Sequence, residues 1–327
     1  MRPFFSQPVL YPSLLSDSSR VFPVYAITAI DEIATRVPDA LLSGEATRSF
    51  LSHCAPTLSV DQLLLCDLQH VLGSIRLASD GESMEFTVTC PKCNNTDSYL
   101  VNLQLALQSL TCKHFSETYK KNDIEIHLSS PLYRESNDYN LKIFKIDKQL
   151  ANIIRREDKD EFAEIMVKLI SDKSNLQLNF ISKYLYSVQG VTNKEYIYEW
   201  FMNTDSEIQQ FVLGICHDSI QKTYLPDMKI SCQECKETMM VPIDLDPSQQ
   251  FRKSLIHLSD EEIASTLSTY THTIDKIKSD LLSMTWYMRG GISYNDAMYL
   301  SSKDRKNINK LIGDNIEITK KSGMPII

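Results

Sequence analysis

Apolar residues recur at helical spacing through most of this chain and alternate in only a few short runs, predicting a mainly helical protein with small β-hairpins. Residues 1–20 are rich in Pro and Ser without periodicity and read as an extended arm that can lie on a partner. Residues 21–25 read as a short strand. Thr28 caps a helix over 28–35, with Asp31 and Glu32 favouring its N-terminus. Pro38 interrupts, and a second helix follows over 39–53. Ser59 and Gln62 have capping-box spacing and open a helix carrying Leu63, Leu64, Leu68, Val71, Leu72 and Ile75, stopped by Gly81. Farther along, 123–128 and 139–146 read as strands. Helices are predicted over 147–171, broken by a charged elbow at 155–160, and over 176–188, ended by Gly190. Thr192 and Glu195 box a helix to Met202, and Asp205 starts another through Ile208, Phe211, Val212, Ile215 and Ile220. Ser259 and Glu262 box a long helix with Ile263, Leu267, Tyr270, Ile274, Ile277, Leu281, Met284 and Met288 on one face, ended by Gly290 and Gly291. Helices over 293–299 and 302–319 and a tail over 320–327 complete the pattern.

Alternation is clearest on either side of two cysteine pairs. Cys90-Pro-Lys-Cys93 lies between 85–89 and 98–105, and Cys232-Gln-Glu-Cys235 between 228–231 and 239–245. Both read as strand, tight turn, strand. Each turn aims two thiolates at one spot, and four thiolates at about 2.3 Å make a structural zinc site with no position left for water or substrate. Cys90, Cys93, Cys232 and Cys235 are therefore the predicted ligands of one structural Zn2+. Two rivals stay open: separate metal sites or none at each turn, and thioredoxin-like redox chemistry, whose motifs open a helix in a β/α pattern. Cys112 with His114 and Cys216 with His217 are weaker candidate ligands; Cys54, Cys66, His53 and His70 read as core positions.

These elements give an α+β, mainly helical fold class: a split four-cysteine zinc ribbon of two β-hairpin knuckles, a largely helical domain inserted between its halves, and a helical C-terminal region. The expected divisions are an arm (1–20), an N-terminal helical region (21–82), the first knuckle (83–112), a mixed, mostly helical insertion (113–226), the second knuckle (227–250) and the C-terminal region with its tail (251–327).

Composition narrows the function. The 327 residues carry a net charge of −8, which disfavours a broad phosphate-neutralising surface. Lys303-Asp-Arg-Lys306 and Lys320-Lys321 are short and read as solvated helix faces. The start lacks an apolar signal core of about 7–15 residues, and no apolar run approaches the ~20 residues of a membrane span. A soluble intracellular protein is expected, in which Cys-x-x-Cys pairs mean metal or redox chemistry. With nine glycines and no phosphate-binding Gly motif, no Gly-x-Ser-x-Gly and no His-Glu-x-x-His, no catalytic residue is assigned, and no small-molecule substrate is expected. Trp200 and Trp286 read as helix-core or interface aromatics.

Several segments together resemble the baseplate hub and hub-assembly proteins of T4-type tailed bacteriophages: Pro38-Asp-Ala-Leu-Leu-Ser-Gly44, Cys54-Ala-Pro56, 67–76, and 78–81 running into the first knuckle. Val241-Pro-Ile-Asp-Leu245, Phe251, 286–294 and Gly323-Met-Pro325 extend the likeness, which covers both ends and both knuckles but not 115–225. The resemblance implies a non-enzymatic component or assembly factor of a contractile-tail baseplate, with hub, tape-measure or tail-tube proteins as partners. It implies a place in the host cytoplasm during assembly or in the virion tail, with repeated copies in a ring or a monomeric chaperone both open. The competing expectation is a zinc-ribbon nucleic-acid or transcription module. It calls for basic residues at the knuckles, where the chain has Glu82, Glu85, Asp97, Glu234 and Glu237.

Overall fold

In a computed structural model, which describes residues 7–155 and 162–322, the helix with Leu68, Val71, Leu72 and Ile75 lies at the centre. Preceding it are α1 (Ala29–Ala34), α2 (Pro38–Ser43) and α3 (Glu45–Cys54); the central helix is α4 (Leu65–Asp80). Its residues 65–69 and 71–75 are all buried, as expected of a helix packed on every side. The hairpin β1 (Ser83–Thr89) and β2 (Thr96–Asn102) leaves it, followed by α5 (Leu103–Gln108). Next come β3 (Thr118–Lys121), β4 (Ile124–Leu128), α6 (Tyr133–Ile154), α7 (Ala163–Ser182), β5 (Leu185–Val188), α8 (Lys194–Asn203) and α9 (Ser206–Gln221). The second hairpin, β6 (Met228–Ser231) and β7 (Thr238–Val241), leads into α10 (Pro247–His257), α11 (Asp260–Tyr287), α12 (Tyr294–Met298) and α13 (Ser302–Ser322). The described residues are thus mainly helical with three small antiparallel sheets among them: β1-β2, β3-β4-β5 and β6-β7.

One apolar core runs from Leu14 to Leu245, joining α4 to β4, β5, α8 and α9 through Leu72, Ile126, Leu185, Phe201 and Val212. Two smaller clusters fasten the C-terminal helices to the first three: Ala29 with Ile277, Leu281 and Ala297, and Leu41 and Ala46 with Phe251 and Leu255. The arm is held on the molecule itself. Leu14 is buried in the core, and Ser16 donates from its backbone N–H and hydroxyl to Asp67. Residues 1–6, 156–161 and 323–327 lie outside the described residues, and with them all of the predicted elbow but Arg155 and the end of the predicted tail with Gly323-Met-Pro325; residues 320–322 of that tail continue α13.

Several elements differ from expectation for identifiable reasons. The alternation over 139–146 lies within α6, not a strand. Both of its faces find partners: Tyr139 stacks on Phe180 of α7 with ring centroids 4.3 Å apart, and Phe144 packs beside Phe251 and Leu255. The helix predicted over 176–188 ends at Ser182, and 185–188 instead pairs with β4 (His127 opposite Ser187), because Leu185, Ser187 and Val188 are buried there. β3 lacks a periodic signature and is held by pairing with β4. The return strand of the first hairpin stops at Asn102, whose side chain accepts from the Leu105 N–H and starts α5. Ser59 does not cap α4. It precedes a 3-10 turn, Val60–Gln62, and the first N–H groups of α4 go to the Pro131 carbonyl (2.8 Å) and the Ser130 hydroxyl (3.0 Å). The predicted helix over 39–53 is two helices broken at Gly44. The box at Ser259 and Glu262 forms as read, and the α11 stripe faces inward, with Ile277, Leu281 and Met284 buried. Trp200 packs on the core; Trp286 is 81% exposed.

Gly44 has φ +87 at the α2–α3 junction, and a Cβ there would lie 2.1 Å from Asn137 Oδ1. Asn137 donates to the Ser43 carbonyl and accepts from both terminal nitrogens of buried Arg252. A left-handed backbone and a blocked approach both penalise a side chain. Gly44→Ala is expected to destabilise the fold by more than about 1 kcal/mol, read as a lowered denaturation midpoint; an unchanged midpoint contradicts this account.

Candidate metal centre

Each cysteine pair sits on a turn built the same way. The Cys90 N–H donates to the Asn95 carbonyl (2.8 Å) and the Asn94 N–H to the Cys90 carbonyl (2.9 Å). In the second turn, Cys232 N–H donates to Glu237 (2.9 Å) and Lys236 N–H to Cys232 (3.1 Å). The residue after each second cysteine has positive φ, +57 at Asn94 and +59 at Lys236. Asn tolerates that conformation well; Lys does not, and Lys236 Nζ donates to the Gln233 carbonyl at 2.7 Å across the turn. Flanking strand registers, Thr89 opposite Thr96 and Ser231 opposite Thr238, close the hairpins directly behind the cysteines.

The two turns face each other. Cys90 Sγ lies 3.6 Å from Cys235 Sγ, and Cys93 Sγ lies 3.6 Å from Cys232 Sγ. All four sulfurs fall within 4.8 Å of one another. A regular tetrahedron with arms of about 2.3 Å has edges of about 3.8 Å, so the spacing fits a four-thiolate ion. Cys90 and Cys232 are buried, while Cys93 and Cys235 reach the surface.

Electrostatics divide the thiols. Backbone N–H groups of Cys93 and Lys92 lower Cys90 to about 7. Cys93 accepts an N–H from Asn95, which lowers it, but burial and the three other thiols outweigh that and push it up to about 12. Cys235 is also raised: an N–H from Glu237 opposes burial and the Cys90 and Cys232 thiols without overcoming them. Alone, the quartet resists full ionisation because each new thiolate faces the others. A divalent cation removes that obstacle.

Three further contacts bridge the hairpins. Gln233 N–H donates to Asp97 Oδ2 (3.1 Å), Tyr99 Oη to the Ser231 carbonyl (3.1 Å), and Lys92 Nζ pairs with Glu237 Oε2 at 2.7 Å. The ion pair raises the Lys92 pKa but stands in solvent. Exposed pairs contribute little. A Lys92→Met, Glu237→Gln double-mutant cycle is expected to give a coupling below about 1 kcal/mol, weakening with salt; a larger, salt-independent coupling contradicts the assignment of the seam to the sulfurs.

The weaker sequence candidates do not assemble as expected. His114 pairs with Glu117 and His217 with Gln221, so neither joins its neighbouring cysteine. Cys216 is a buried thiol pushed up to about 12 by burial. Cys54 is buried with its sulfur 3.7 Å from Asp31 Oδ2, and His53 Nδ1 lies 2.9 Å from Asp31 Oδ1. Cys112 instead meets Cys66 and Asp67, with their donor atoms within 4.8 Å of one another. No linear motif joins these three, and only the fold brings them together.

A family model described as T4 bacteriophage base plate protein matches residues 34–241, a span that takes in both cysteine turns and everything between them. No curated protein and no solved structure matches. The matched span covers well over half of the chain, including 115–225, where the residue resemblance was silent. The chain belongs to the T4 bacteriophage base plate protein family.

Proposed function

We propose that this chain is a non-enzymatic baseplate hub component or hub-assembly factor of a contractile-tailed phage, with a structural zinc on Cys90, Cys93, Cys232 and Cys235. The observation that carries this reading is the baseplate family match across both cysteine turns. The four-sulfur geometry adds the ion. In this reading the knuckles at 83–112 and 227–250 are the halves of one split ribbon. Residues 113–226 are inserted between them, and 251–327 form a helical region attached through α1, α2 and α3. A baseplate role favours structural work over catalysis and does not favour the nucleic-acid alternative. No helix among the described residues is long and apolar enough to cross a membrane.

Partners of the proposed kind, hub, tape-measure or tail-tube proteins, would dock on helical faces. Leu282 and Trp286 of α11 and Leu311 and Ile318 of α13 are exposed, outside the stripe that holds α11 to the core. A protruding Trp supplies large contact area at low entropic cost, and such residues dominate binding energies.

Zinc in this role stabilises by binding only the folded chain. At a free-ion concentration a thousand times Kd the gain is about 4 kcal/mol. Purified protein is expected to contain zinc. Cys93→Ser with Cys235→Ser should abolish the four-thiolate site and lower the melting temperature, as should chelation. Zinc loss is expected on acidification, because protons compete for thiols that ionise reluctantly. Equal melting temperatures for metal-loaded and demonstrably metal-stripped protein would remove zinc from this account.

For the assembly role, an amber mutation in the gene should leave phage without completed baseplates, restored by the wild-type chain in trans. Trp286→Ala should weaken co-purification with hub or tape-measure proteins at least about tenfold, given that truncating a hot-spot residue costs about 2 kcal/mol or more. Normal tails in the amber mutant would refute the role; undiminished capture by the Trp286 variant would refute this docking face.

A further inference from the structure

We propose that Cys66, Asp67 and Cys112 hold a second divalent metal ion of the zinc class, inside the molecule and separate from the ribbon. Their donor atoms lie within 4.8 Å of one another, and all three residues are buried, at 2%, 1% and 6% exposure. Cys66 and Asp67 belong to the first turn of α4. Cys112 follows α5, held by the Thr111 N–H on the Lys222 carbonyl (3.0 Å) and by its own carbonyl accepting from Phe115 N–H (3.0 Å). The donors come from two separate pieces of backbone, the start of α4 and the segment at Cys112, so the cluster is not incidental to one helix.

Asp67 supplies the observation that points to a cation. A buried carboxylate is costly unless paired, yet Asp67 makes no ion pair among the described residues. Its donors are the backbone N–H of Ser16 (2.9 Å to Oδ1) and the Ser16 hydroxyl (2.5 Å to Oδ2). His70, one turn along α4, does not fill the gap. Burial lowers its pKa despite the nearby Asp67, so the ring stays neutral, and its Nδ1 is buried without a hydrogen-bond partner. Cys112 faces Cys66 here, and that interaction, burial and the Asp67 charge raise its thiol.

A cation meets each of these conditions. Binding forms two metal–sulfur bonds and one metal–oxygen bond, and releases two thiol protons to solvent. The cluster's net charge stays at −1, but the carboxylate now faces a positive ion directly. Two soft thiolates with one carboxylate suit zinc, whereas Ca2+ and Mg2+ take oxygen-rich sets. Such an ion joins the arm at Ser16, the start of α4 and the segment at Cys112. It also lies beside Ser130, whose hydroxyl accepts the Cys66 N–H. Its place is the core, where the ribbon's ion lies near the surface.

Metal content of the intact chain, purified natively and after zinc reconstitution, tests this independently of the ribbon. Wild-type chain is expected to carry two zinc ions. Cys66→Ser with Cys112→Ser should remove one and keep the ion held by the ribbon cysteines; Cys93→Ser with Cys235→Ser should remove the other. Asp67→Asn preserves shape, with Oδ1 still accepting the Ser16 N–H and Nδ2 donating to the Ser16 hydroxyl oxygen, and should weaken the internal site at least about tenfold in competition with a chromophoric chelator. If the ribbon reading alone fails, one ion remains and responds only to Cys66, Cys112 and Asp67. If this proposal fails, one ion remains and ignores all three. An intact mass two hydrogens low, mapping to a Cys66–Cys112 disulfide, also overturns it, as does unchanged zinc affinity in Asp67→Asn.

Discussion

The meeting of the two cysteine turns is the constraint on which the chain's path depends. More than a hundred residues separate Cys93 from Cys232, and closing a loop of that length costs several kcal/mol of chain entropy. What brings the ends together is visible on both sides of the sulfurs. Behind the first hairpin, α4 is buried all round; Ile243 and Leu245, just past the second hairpin, belong to the same core. Gln69 of α4 bonds Asp244 and the Leu245 N–H. The core therefore carries both hairpins to one place, and the sulfurs need only lock a seam that packing has nearly closed. The Lys92–Glu237 pair and the Tyr99 and Asp97 hydrogen bonds align that seam but stand too close to water to hold it alone.

Much of this organisation is legible from residues. A Cys-x-x-Cys between alternating runs carries its own turn chemistry, so both hairpins follow from sequence, and so does their convergence on one ion-sized spot. Ser259 and Asp205 act through side chains on N–H groups three residues ahead, which makes such helix starts readable locally; at α8 the cap falls on Asn193 rather than on the expected Thr192, because the Asn193 side chain takes the Glu195 and Tyr196 N–H groups. The residues 139–146 and 176–188 defeat a periodic reading because their partners are distant. Tyr139 needs Phe180 to make α6 a two-sided helix, and Leu185 needs β4 to become a strand. The start of α4 is decided by Ser130 and Pro131, more than sixty residues away, which no capping pattern at Ser59 encodes.

The same distinction separates the two thiol clusters. The surface quartet is written as two local motifs and is visible before folding. Cys66, Asp67 and Cys112 share no motif: from sequence Cys66 reads as a core position and Cys112 as a weak candidate ligand beside His114, with nothing to join either to Asp67. Only the wrap of α5 against α4 makes them neighbours. Gly73 records how tight that wrap is: a Cβ there would lie 2.4 Å from a Leu107 methyl.

The proposed metal sites and the proposed partner face occupy different parts of the molecule. Acidic side chains surround the ribbon, with Asp97 bonded across the seam and Glu237 paired with Lys92. Those contacts tie the two hairpins to each other across the seam. Leu282 and Trp286 of α11 and Leu311 and Ile318 of α13 are exposed, while α11 packs on the rest of the fold through Ile277 and Leu281 beside Ala29 and Ala297 and through Ile263, Leu267 and Tyr270 beside Phe251 and Leu255. In the proposed baseplate role, partner binding would rest on these helical faces rather than on the proposed ion.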